Sequence, residues 1–319
     1  MTPDTVGTAA GVVVDAAFLS RWIGYLALLT LIGAAVFLPL ARSVLTPALA
    51  ERLGPGLLAR TRALALGAAV LLLLADFGRL YGQAMAFLDP GESLSVEAVR
   101  PIVTASSWGR GWLIQLAAGG IALIGWAVAG RRRSWGQRIG AAASLGAAAT
   151  APFTGHAVEH PWGAMAGLAL HAVHLLAGGA WLGTLFLVVA VAFPVTRDLP
   201  GEERAAVMSR LIAGFSRIAQ VSVVLLALAG LTLALVYVGS WKAVLTTDYG
   251  TTLLIKTAFV MIALALGAWN WKRLTPRLGE ATGLRALGRS AGAELVIGAL
   301  VLLVTAGFVA LGAPSLGHT

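Results

Sequence analysis

Residues 112–155 read WLIQLAAGGIALIGWAVAG, then RRRSWGQR, then IGAAASLGAAATAPFTG. Two apolar stretches flank a short linker with four arginines. A bilayer core is crossed by about 20 apolar residues in a helix, so this segment reads as a helical hairpin with a basic turn. Every backbone amide in lipid must be satisfied internally, which leaves helices or closed barrels as spanning structures. Runs of this length point to helices.

The pattern repeats along the chain. Apolar spans are expected near 18–40, 63–87, 112–130, 137–155, 164–193, 216–239, 251–271 and 290–312. Hydrophobic residues form 58% of the 319 residues and charged residues only 12%, too few to coat a soluble protein of this length. The expected fold is an all-α polytopic membrane protein with about eight transmembrane helices, in one integral domain over 1–319. The longest connections, about 41–61, 88–111, 195–215 and 272–289, are too short for a soluble domain, although DPGESLSVEAVRP at 89–101 suits a short helix. No cleavable signal peptide is evident, and the first apolar segment is expected to remain as a helix.

Charge sets the orientation. Of the 23 Lys and Arg residues, 17 fall at the loops that follow the first, third, fifth and seventh spans. By the positive-inside rule both termini face outward, N-out and C-out. The net charge of +9 is therefore a topology signal, and nucleic acid is excluded as a partner. The absence of cysteine excludes disulfides, thiolate metal sites and Fe–S clusters.

Four of the five histidines, His156, His160, His171 and His174, lie in TGHAVEHPWGAMAGLALHAVHLL at 154–176. Pro161 suits the first position of the fifth span. His171 then lies about 15 Å down that helix, in the outer leaflet. His171 and His174 are spaced i, i+3 and share a helix face. Two imidazoles there can converge on one ion, with His156 as a third ligand and Glu159 as a ligand or supporting acceptor. Imidazole suits copper, zinc, iron and nickel. The competing reading is interhelical hydrogen bonding. For His160 the two readings weigh equally, and His318 is incidental.

Other polar residues lie inside spans and merit attention because burial there is costly. Asp76 and Arg79 suit a local ion pair, with Arg79 reaching outward. Lys256 suits snorkelling, or holding Glu159. Asn270 and Glu294 suit pairing with each other or with Arg289. Met85 and Met165 are soft-ligand candidates, with packing as the simpler reading.

In their order along the chain, TGHA at 154–157, HAVHLLAGGAWLG at 171–183, FSRIA at 215–219, YGTTLLIK at 249–256, GAWN at 267–270 and AELVIGALVLLVTA at 293–306 form a pattern. It resembles the copper resistance protein D family (CopD) of bacterial inner-membrane proteins, most strongly over about 137–312. The resemblance implies copper transport across the inner membrane, from periplasm to cytoplasm. It also implies metal contacts at His156, His171 and His174, and a separate periplasmic copper-binding partner of the CopC type. The oxidation state, Cu(I) or Cu(II), and the oligomeric state stay open. An enzyme is not expected. The alternatives are a haem-binding membrane redox protein and a copper-sensing scaffold. A haem would need His156 paired with His171 or His174, since those two share one face.

Overall fold

Ten helices make up the regular structure of the computed structural model, which describes residues 3–88, 92–130, 134–155, 157, 160–277 and 282–311, with side chains from Ala16 onward. Six cover the first part of the chain: α1 (Pro3–Ser43), α2 (Pro47–Phe87), α3 (Val96–Ala105), α4 (Ser107–Val128), α5 (Ser134–Thr150) and α6 (Ala164–Val195). Four follow: α7 (Gly201–Val238), α8 (Trp241–Thr246), α9 (Asp248–Arg277) and α10 (Gly283–Phe308). Among the described residues there is no strand. Seven of the helices are long and apolar enough to cross a membrane: α1 from Ala16, α2, α4, α6, α7, α9 and α10. The expected fourth span is α5, only 17 residues long, continued by a 3-10 turn over Ala151–Thr154.

Two expected loops are helical. The 41–61 connection shrinks to three residues, because Thr46 caps the N-terminus of α2 through the Leu49 N–H and Pro47 occupies its first turn. Leu49, Leu53, Leu57 and Leu58 form a helical stripe buried in the main core. Most of 195–215 is likewise the start of α7, which buries Val207, Met208, Leu211, Ile212 and Phe215. Both extensions are amphipathic, so a search for purely apolar runs passes over them. The 88–111 segment does contain a short helix, α3, capped by Ser95.

α1 is the axis of the bundle. It packs against α2, α5, α6 and α10. Ala27, Leu28, Leu31, Ile32, Ala34 and Phe37 along it are almost fully enclosed. α6 crosses it closely. A Cβ built on Gly33 would overlap the Gly183 backbone, and one built on Gly183 would overlap the Leu29 carbonyl. The helices therefore meet backbone to backbone, the small-residue packing that membrane bundles use in place of a hydrophobic driving force. α6 carries two π-helical turns, Gly179–Gly183 and Val188–Ala192, and the first of them forms this crossing. α4 and α5 approach similarly at Gly125 and Gly140, where Trp126 Nε1 donates to Ser144 Oγ at 3.1 Å.

The basic residues gather at one end of the bundle. Arg42 donates to Gln137 Oε1 at 2.7 Å, Arg62 to the Trp126 carbonyl at 2.9 Å and Arg204 to the Phe193 carbonyl at 3.4 Å. Arg62 and Arg204 thus satisfy carbonyls near helix C-termini. The outward faces of α7 and α9 are apolar, with Val221, Leu228, Leu235, Ile255 and Ile262 exposed, as lipid contact requires.

The crossing gives a direct test. Gly183→Ala should lower thermal stability in detergent by about 1–3 kcal/mol, because the added methyl meets backbone that cannot rotate away. Gly292→Ala, where a Cβ meets nothing within 4 Å, should leave the melting curve unchanged or shift it slightly upward. Intrinsic tryptophan fluorescence during heating measures both.

Candidate metal site at the histidine end

The end of the bundle opposite the arginines is built from the turn before α6. His160, Pro161, Trp162 and Gly163 close a turn through Gly163 N–H donating to the His160 carbonyl at 2.8 Å. Gly163 caps α6 with φ of 92°, a conformation that side chains resist. α6 therefore begins at Ala164, after Pro161 and not at it. Glycine at 163 decides the start, because its positive φ cannot continue a helix.

His160 is 4% exposed. Its Nδ1 accepts from the Trp162 N–H at 3.1 Å, so the lone pair on that nitrogen is occupied. Its buried Nε2 has no hydrogen-bond partner among the described residues. In the neutral ring Nε2 is then the N–H nitrogen, a donor rather than a ligand.

His171 and His174 both face α7. The His171 ring meets the Tyr237 ring edge-on, with centroids 5.8 Å apart, and His160 meets the same Tyr237 at 5.7 Å. Tyr237, 4% exposed, is thus wedged between two imidazoles. His171 Nδ1 lies 2.9 Å from the Gly167 carbonyl. A carbonyl only accepts, so Nδ1 carries the proton and Nε2 keeps its lone pair in the neutral ring. This is the arrangement in which histidines usually hold metals.

His174 fits against Gly230 of α7, where a Cβ would sit 3.2 Å from Cε1 of the imidazole. The Leu226 backbone, one turn away on α7, lies beside the ring. Its buried Nδ1 has no hydrogen-bond partner among the described residues. Lys256 Nζ lies over the Phe308 ring, 5.6 Å from the centroid, and does not run straight to the surface.

His156 and Glu159 lie outside the described residues. Among the described residues, no three or more His, Cys, Asp or Glu side chains form a group that could hold a metal ion. Met165 is 79% exposed and Met85 is half-buried, neither within such a group.

A polar cluster under the same end involves Asp76 and Arg79. Asp76 is 1% exposed and lies 3.9 Å from Arg79 Nη1. Arg79 extends toward the same end. It bonds Gln115 Oε1 at 3.3 Å and the Thr154 hydroxyl, tying α2 to α4 and to the turn before His156. Trp112 Nε1 donates to the Asp76 carbonyl at 2.8 Å. The expected i, i+3 pair exists, but Arg79 serves more partners than Asp76 does.

Lower in the bundle, Glu294 is 2% exposed. It accepts from Trp181 Nε1 at 2.9 Å and from Asn270 Nδ2 at 3.0 Å. The pairing of Asn270 with Glu294 was expected; Trp181 was not. A buried indole N–H needs an acceptor, and that need was the signal in the sequence.

Two family descriptions match this chain: "Copper resistance protein D-like, N-terminal domain" over residues 13–167 and "Copper resistance protein D" over 209–308. The chain belongs to the copper resistance protein D family. The family match thus reaches the first three helices as well as the second half, and the stretch carrying His171, His174 and Trp181 falls between the two matched segments. Among curated proteins, copper resistance protein D of Pseudomonas syringae pv. tomato is 29% identical over 237 residues, covering 69% of this chain and 74% of that protein. No solved structure matches. Family membership and the apolar helices make this a copper-related, multi-pass membrane protein.

Arg79→Leu should destabilise the protein more than Asp76→Asn does. The first strands a buried carboxylate and leaves Gln115 and Thr154 without their donor, at about 3 kcal/mol. The second removes a charge whose nearest cation is already 3.9 Å away. Thermal melts of the two variants in the same detergent check the order.

Proposed function

We propose that the protein is a copper permease of the bacterial inner membrane, and not an enzyme. It takes copper from a periplasmic CopC-type donor at the histidine end and releases it at the arginine-rich cytoplasmic end. The observation that carries this reading is that His171 and His174, one turn apart on α6, both face α7, against Tyr237 and Gly230. Neutral imidazoles in a poorly hydrated pocket bind a borderline or soft cation without a charge of their own to desolvate. His156 enters as the third ligand through the sequence reading. His160 supports Tyr237 rather than the ion.

The membrane potential favours cation entry by about 2.3 kcal/mol per charge per 100 mV. The orientation follows from the arginines at one end of the bundle, with α5 and its 3-10 turn as an eighth crossing. α5 meets Arg42 near its start through Gln137, and Arg79 near its end through Thr154.

Two experiments test this. In vesicles, the His171→Ala/His174→Ala variant should lose copper uptake while inserting at normal levels. Uptake at the parental rate would remove these residues from the path. For orientation, a single cysteine at position 200 in this cysteine-free chain should resist an impermeant reagent in intact cells and react after permeabilisation. Labelling from outside reverses the topology.

A further inference from the structure

The polar centre at Glu294 lies apart from the histidines. Trp181 is seven residues below His174 on α6, two turns or about 10 Å. It sits in the π-helical turn Gly179–Gly183, and Asn270 opens the π-helical turn Asn270–Leu274 of α9. Such turns are rare and occur often at functional sites. The stretches GAWLG, GAWN and AELVIG, on three different helices, thus meet at one carboxyl group.

The charge balance of this group is incomplete. Glu294 receives one N–H on each oxygen, both from neutral side chains. Among the described residues, no Lys, Arg or His side chain forms an ion pair with Glu294. An ionised carboxylate in such a place is costly unless a positive charge joins it. Soft copper is poorly served by a carboxylate with amide and indole neighbours, whereas a proton needs only one oxygen lone pair and an acceptor for the new O–H. Asn270 can supply that acceptor. It is 8% exposed, and its Oδ1 has no hydrogen-bond partner among the described residues. With the amide one way round, its N–H serves the carboxylate. Turned over, its carbonyl accepts from the carboxylic acid.

We propose that Glu294, held by Trp181 and Asn270, is a buried proton-binding site that alternates between carboxylate and neutral acid. The step is simple: the carboxylate takes one proton to become the neutral acid and gives it up again, with no change of oxidation state.

Infrared spectra of purified protein across its folded pH range test the site. The carbonyl stretch of a buried protonated carboxylic acid should appear, shift in Glu294→Asp and vanish in Glu294→Gln. Absence of that band from the wild type at every pH overturns the proposal, as does an undiminished band in a folded Glu294→Gln variant that also carries Asp76→Asn, which removes the second buried carboxyl.

Discussion

The backbone contact between Gly33 and Gly183 is the constraint on which the remaining architecture rests. It fixes the distance between α1, the buried axis, and α6, which carries the histidines at its upper end and Trp181 at the crossing itself. Any side chain at either glycine would force the two helices apart. That separation would pull Trp181 from Glu294 and tilt the histidine face away from α7. Packing at one point thus positions groups at two depths. This is typical of a bundle in lipid, where close van der Waals approach does the work that water exclusion does elsewhere.

The helical extensions outside the expected spans serve the same geometry. Thr46 and Pro47 start α2 well before its apolar run, and the leucine stripe that follows wraps the basic end of α1. α7 starts early for the same reason and runs on without interruption to Tyr237. One continuous helix therefore connects the arginine-rich end to the aromatic wedge between His160 and His171.

Much of this was legible in the sequence because the bilayer imposes strong rules. Apolar run length gave the helices, and four histidines among alanines and leucines drew attention to 154–176. Glu294 and Asn270 stood out as polar groups in apolar helices, and they do pair. What the sequence could not carry was helix adjacency. Nothing in the spacing of α7 says that Gly230 faces His174, or that Tyr237 lies between two imidazoles. Arg79 shows the same limit: i, i+3 spacing identifies Asp76 as a neighbour but is silent on Gln115 and Thr154, which come from elsewhere in the chain. The π-helical turns were hidden because glycine-rich apolar segments read the same whether the helix is regular or widened.

The sparse burial of α9 has a mechanical side. Its packing is mainly against α10, and most of its apolar surface faces outward. A helix so lightly held gives up little packing when it tilts, since lipid re-covers it at almost no cost. Yet it bears Lys256, which lies over the Phe308 ring, and Asn270, which holds Glu294. A tilt of α9 would therefore be felt first at Glu294, through Asn270, and at Phe308, through Lys256.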